Sequence, residues 1–262
     1  MIRLPKEYQI VIPARFSSTR YPGKPLALIE GIPMVVHVAL NCLEIADRDQ
    51  VIVATDDERI SKIVESYEIR CVETSKDHLT GTDRVSEVSK NSSRKSFINV
   101  QGDEPLVSGK DILKVVKLFE RHEKRIIATG YCDYEINFNE DSKTVPKLVT
   151  TEDNKLLYVS RLNIPFDYDS YKNNLPTRMV AKRQVCIYVF PAETLKKYSD
   201  RSKRTYLEGL EDIEILRFLE LGEVVRVVKV NDSRAVDTPE DLEAVKKLIA
   251  IRNKYISRKL RF

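Results

Sequence analysis

Strand-like runs at 10–12, 51–54, 70–73 and 97–105 alternate with helix-like stretches at 33–45, 58–67 and beyond Arg84. That rhythm restricts the chain to an α/β fold, with a mainly parallel sheet covered by helices. A helix at 111–124 and a strand at 125–130 continue it. From about 131 to 205 the pattern changes to strands and loops, including a hairpin of 147–150 with 156–160 around Glu152, Asp153 and Asn154. A helix at 207–221, a strand at 224–230, the turn Asp237-Thr238-Pro239 and a last helix then restore the α/β order. With no internal repeat or flexible linker, the expectation is one domain, 1–262, carrying an inserted lobe at about 131–205.

Ligands of such sheets sit beyond the carboxyl ends of the strands. Arg15, Asp56, the segment around Gly81, Asp103 and Asp237 all follow strand ends. The strand at 97–105 stops abruptly on Asp103, Glu104 and Pro105. The loop after the first strand carries Arg15, Arg20 and Lys24, with Gly23 for close backbone approach and Pro13 and Pro22 for stiffness. Cations facing an acidic strand end suit a nucleotide held with a divalent metal, because a triphosphate carries about four negative charges that must be spread and fixed. Lys24 and Arg15 are the expected clamps, although a loop of cations also suits a solvated surface. No Walker loop is present. Asp103 and Asp237 are the expected Mg²⁺ ligands, since that ion takes carboxylate oxygens and keeps positions for substrate oxygens. Each also has a structural reading, Asp237 as a helix N-cap and Asp103 as a turn residue.

Composition removes other classes. At 262 residues and 42% hydrophobic content the chain can bury a sizeable core, and Lys+Arg 44 against Asp+Glu 40 leaves a net charge of +4, which does not call for nucleic acid. The four scattered cysteines, Cys42, Cys71, Cys132 and Cys186, read as reduced thiols of a cytoplasmic protein. No apolar stretch approaches the ~18 residues of a membrane span, and Met1–Pro5 lacks a signal-peptide core.

Taken together, Ile12–Leu26 (IPARFSSTRYPGKPL), Asp77–Arg84 (DHLTGTDR), Asn99–Pro105 (NVQGDEP), Ser160–Pro165 (SRLNIP) and Val236–Glu243 (VDTPEDLE) resemble the 3-deoxy-manno-octulosonate (Kdo) cytidylyltransferase family in order and spacing over nearly the whole chain. The resemblance implies a Rossmann-like nucleotidyltransferase fold whose inserted strand-rich lobe helps form a homodimer. It implies Mg²⁺-dependent transfer of CMP from CTP to the anomeric hydroxyl of a 3-deoxy-2-ulosonic acid, with release of pyrophosphate, in lipopolysaccharide assembly. Arg15, Ser18 and Lys24 would hold the triphosphate, with Ala14 also in contact with CTP, while Thr80, Gly81, Arg84 and Gln101 would line the cytosine and ribose pocket. Asp103 and Asp237 would hold the metal. The sugar would meet Gln101, Arg161, Gln184, Tyr188 and Glu211, with Arg161 as a bidentate fork for its carboxylate. His78 is read as a supporting residue rather than a general base, because metal coordination can activate the hydroxyl. His37 and His122 are read as structural.

The chain departs from the family where the sugar is read. A usual His-Ile/Leu-Gly-Ile-Tyr is replaced by Gln184-Val185-Cys186-Ile187-Tyr188, and a usual Pro-Leu-Glu by Tyr206-Leu207-Glu208. A modified acceptor such as an 8-amino-8-deoxy ulosonate is one reading of this, and a tolerated substitution is the other. Rivals are a CMP-sugar synthetase for another acidic sugar, a sugar-1-phosphate nucleotidylyltransferase, and a catalytically silent nucleotide-binding regulator. The basic end, 251–262, reads as a solvated helix end or a weak membrane-surface contact.

Overall fold

The computed structural model describes residues 3–17, 20–136, 143–173, 179–200 and 203–259. It divides into two compact units, one of residues 1–110 with 233–262 and one of residues 111–232.

In the first unit, β1 (Tyr8–Ala14) is buried along its whole length. A hairpin of β2 (Leu28–Ile29) and β3 (Ile32–Pro33) leads into α1 (Met34–Leu43). Then follow β4 (Val51–Thr55), α2 (Glu58–Ser66), β5 (Arg70–Glu73), α3 (Gly81–Lys90) and β6 (Ser96–Val100). β6, β1, β4 and β5 lie side by side and are all parallel. β1, β4 and β6 are buried throughout, which is why the sequence reads there as apolar runs rather than as alternation. α1 is buried almost all round, through Met34, Val35, Val36, Val38, Ala39, Asn41 and Cys42. α2 is amphipathic and turns Ile60 and Val64 inward.

The chain enters the second unit within the first turn of α4 (Gly109–Arg121). There β7 (Ile127–Ile136) is followed by the hairpin β8 (Lys147–Thr150) and β9 (Leu156–Ser160). Next come α5 (Tyr168–Lys172), β10 (Met179–Pro191), α6 (Ala192–Ser199), α7 (Tyr206–Glu211), α8 (Ile215–Glu220) and β11 (Val225–Lys229). β10 runs antiparallel to both β7 and β8, with a bulge between Val185 and Tyr188, while β11 is parallel to β7. α9 (Pro239–Lys259) belongs to the first unit, where Leu242, Val245 and Ile249 pack with Ile29, Met34 and Val236. The side chains of the basic run beyond Ile251 lie outside the description.

The helix expected over 207–221 is two helices, because Asp212 adopts a left-handed conformation, φ 52°. Tertiary partners stabilise the break. The Glu220 carboxylate accepts from the backbone N–H of Leu207 and Glu208 at the start of α7. At its end, the Arg161 guanidinium takes the carbonyls of Glu211 and Asp212. Beneath, Arg217 and Glu208 form a two-pronged ion pair of 2.6 and 2.7 Å, with the guanidinium 3.8 Å from the centroid of the Tyr198 ring. Both side chains are 1% exposed. Losing either partner would strand a buried charge, at a cost of about 3–5 kcal/mol.

Candidate active site

β1 ends at Ala14, buried and paired with Thr55 of β4. The loop beyond it folds back on itself, with Gly23 N–H donating to the Phe16 carbonyl at 2.9 Å. The Arg59 guanidinium caps the Phe16 ring, 3.3 Å from its centroid. This closure turns Lys24 inward. Its ammonium lies 2.5 Å from Asp103 Oδ2, 3.3 Å from Asp237 Oδ1 and 3.0 Å from the Val236 carbonyl. Arg20 reaches the same Asp237 Oδ1 at 3.0 Å. Burial acts to lower the Lys24 pKa, but the charges and hydrogen bonds of Asp103 and Asp237 together outweigh it and raise the value. Lys24 is therefore cationic.

Backbone locks hold the two aspartates together. Val236 N–H donates to the Asp103 carbonyl at 2.9 Å. Gly102 lies so close under β1 that a Cβ there would come within 2.8 Å of the Pro13 carbonyl oxygen, so this approach requires glycine. Asn41 on α1 donates to the Pro105 carbonyl at 3.0 Å, and buried Glu104 is bonded by Ser233. The paired apolar and acidic residues of 100–105 thus form a fixed turn presenting Asp103.

Arg15 is exposed at the mouth of β1 and forms no ion pair among the described residues, leaving its charge available to an anion. Ser18 lies outside the described residues. Thr80 and Asp83 form a reciprocal cap at the start of α3, which puts Gly81 beside Gln101. A Cβ on Gly81 would sit 3.2 Å from Gln101 Nε2 and 3.1 Å from Pro13 Cγ.

Arg84, expected to line the cytosine and ribose pocket, sits in a buried polar network. It is 3% exposed and its guanidinium is engaged by Asp56 Oδ2 at 2.7 Å, Thr74 Oγ1 at 2.7 Å and the Ser75 carbonyl at 3.1 Å. Its donors tie the end of β4 to the segment before α3. His78 bonds Glu87. His37 bonds the Ile29 carbonyl at 2.8 Å. Arg20 and Glu87 join these networks without having been singled out as site residues. Arg20 lay in view within the cation loop, and Glu87 is three positions from Arg84, on the same face of α3.

In the second unit, Glu211 accepts from Ser160 Oγ at 2.7 Å, Arg161 N–H at 2.9 Å and Tyr158 Oη at 3.3 Å. Burial raises its pKa, but these bonds and the Arg161 charge outweigh that and hold the carboxyl below its ordinary range. The Arg161 guanidinium donates to the carbonyls of Glu211, Asp212, Lys143 and Thr144. It is thereby a strut between β9 and the end of α7, and its fork faces main chain rather than standing open for a carboxylate. Tyr188 stacks on Phe190, 5.8 Å between centroids, within an aromatic core continued by Phe218 and Tyr198. Gln184 faces Tyr131 across the β10–β7 ladder, is 4% exposed, and its Nε2 has no hydrogen-bond partner among the described residues. A buried orphaned donor of this kind is costly unless something else supplies an oxygen.

Parallel strands ending in a cation loop, two aspartates from distant segments and a capped glycine define an α/β nucleotidyltransferase. The solved CMP:2-keto-3-deoxy-manno-octonic acid synthetase complexed with CTP superposes with a TM-score of 0.83 at 32% identity, over 94% of this chain and 99% of that one. Residues 9–229 match the cytidylyltransferase family, and the chain belongs to it. The 3-deoxy-manno-octulosonate cytidylyltransferase of Pelobacter propionicus is 38% identical, covering 93% of this chain and 98% of its own. That of Geobacter sulfurreducens is 38% identical over 90% and 96%, respectively.

Proposed function

We propose that the protein transfers CMP from CTP to the anomeric hydroxyl of a 3-deoxy-2-ulosonic acid of the Kdo type, for lipopolysaccharide biosynthesis in the cytoplasm. The sugar oxygen attacks the α-phosphorus, the bond to the β-phosphate breaks, pyrophosphate leaves and the hydroxyl proton is lost. The observation that carries this is the meeting of Lys24, Asp103 and Asp237, contributed by three distant segments.

The carboxylates fit Mg²⁺. Both reach one ammonium nitrogen, so a cation seated there would find an oxygen from each, and the donors are the hard oxygens that this ion prefers. Asp103 and Asp237 would hold it. When bound, Mg²⁺ would draw charge from the phosphate oxygens and lower the pKa of a coordinated hydroxyl. Lys24 and the exposed Arg15 would carry the triphosphate charge, with Arg20 beside them. Gly81 and Gln101 would approach the nucleoside through backbone and amide groups. Gln184 is the best-supported acceptor residue, because its orphaned Nε2 would gain a partner in a sugar oxygen.

The second unit also exposes Leu162, Phe166, Tyr168, Tyr171, Tyr206 and Leu210. The Phe166 and Tyr171 rings lie 5.5 Å apart, and apolar clusters of this kind support a homodimer. Light scattering on a sizing column tests that. No helix among the described residues is long and apolar enough to cross a membrane.

Incubating the protein with CTP, Mg²⁺ and a panel of ulosonic acids and sugar 1-phosphates should yield pyrophosphate and a CMP–ulosonate conjugate identified by mass. Turnover of a sugar 1-phosphate alone would replace this reading with that of a sugar-phosphate nucleotidylyltransferase.

A further inference from the structure

The stretch from Thr74 to Thr80, between β5 and α3, has no regular structure of its own and is suspended from three charged side chains of α3. Asp83 accepts from Thr80 N–H at 2.9 Å and Thr80 Oγ1 at 2.8 Å, fixing the far end. Arg84 fixes the near end through Thr74 and Ser75, and Thr74 N–H also donates to the Thr55 carbonyl at 2.8 Å. Glu87 bridges what lies between. Its Oε2 accepts from Ser75 N–H at 3.0 Å and faces His78 Nε2. Within 76–79, His78 therefore supplies the tether to the helix.

We propose that His78 and Glu87 are a positioning pair, which sets how the 76–79 arc closes beside Thr80 and Gly81 against the nucleobase and so governs selection of cytidine nucleotides. This rests on the cytidylyltransferase reading above. The carboxylate can only accept, so Nε2 carries the hydrogen, and imidazole donates there in either protonation state. Unlike Arg84, the pair stands at the surface, with side chains 21% and 33% exposed. Truncation is expected to leave the fold standing while releasing the arc, because the bonds from Asp83 and Arg84 remain. The consequence belongs to the nucleotide and not to the chemical step, since neither residue bonds Lys24, Asp103 or Asp237.

The test is calorimetric titration of the full chain with CTP and with UTP, beside steady-state kinetics with Kdo, for His78→Ala, His78→Gln, Glu87→Ala and Glu87→Gln. Both alanine variants should bind CTP about tenfold more weakly, the loss expected for a charge-assisted hydrogen bond. They should narrow the preference for CTP over UTP and keep kcat at saturating CTP within about twofold. His78→Gln retains a donor and Glu87→Gln an acceptor oxygen, so both should recover most of the affinity. Unchanged CTP affinity and preference in the alanine variants would overturn the proposal. So would a fall in kcat that tracks a fall in melting temperature with no change in preference, since that marks a structural role. If the wild-type chain binds no CTP, the parent reading fails instead.

Discussion

The Lys24 ammonium lies 2.5 Å from an Asp103 carboxylate oxygen although 79 positions separate the two residues in sequence. It is the joint where the cation loop after β1 meets the turn after β6. Asp103→Asn keeps the side chain's size and its backbone bond to Val236, and removes the charge that Lys24 faces. Pyrophosphate release should fall by about 10³-fold, the scale on which a fixed electrostatic group contributes to a charged transition state. The melting curve should stay near wild type. Near-normal turnover in this variant would remove Asp103 from the metal site.

Arg84 gives a different expectation. Its guanidinium is buried with Asp56, so Arg84→Met leaves a carboxylate facing apolar surface. Asp56 keeps some exposure, which puts the cost at about 2–3 kcal/mol, below that of a fully buried pair. Urea denaturation measures this, and the same variant should show a raised KM for CTP, because the Thr74–Ser75 anchor is lost.

Gln184 separates stability from specificity. Its Nε2 has no partner among the described residues, so Gln184→Leu should change folding stability by less than about 1 kcal/mol, or raise it, since no made bond to that nitrogen is broken. Acceptor KM should rise in that variant while CTP KM holds. Gln184→His should shift the ranking of ulosonic acids more than the response to CTP. A large loss of stability in the leucine variant would show that the amide is bonded after all.

Glu211 predicts a pH dependence. Its carboxyl is held below its ordinary value of 4.5, so the protons bound in the folded state are fewer than in the unfolded chain as that value is approached. The stabilisation it supplies is complete above pH 4.5 and is lost as pH falls through the depressed folded value. Glu211→Gln carries no charge to titrate. The stability gap between wild type and this variant should be constant near neutrality and shrink below about pH 4.5. A gap that widened on acidification would contradict the assignment.

Much of the fold was legible because parallel strands buried on both faces leave uninterrupted apolar runs. β5, β8 and β9 fall where expected and the other expected elements shift at their ends, while β2, β3, α5 and α6 were not anticipated. The division of 207–221 was not legible. Leu, Glu, Ile and Arg in it favour helix, and the break is stabilised by Glu220 folding back from α8 and by Arg161, which approaches from β9.

The sequence by itself determined the strand–helix rhythm and the chemistry gathered at strand ends, since periodicity and residue type are local properties. Tertiary structure alone decided which charges are spent. Arg84 and Arg161 have the composition of ligand-binding forks, and the fold engages them with Asp56, Thr74 and Ser75 in one case and with main-chain carbonyls in the other. Hydrogen bonds of that kind exist only once distant segments are brought within about 3 Å.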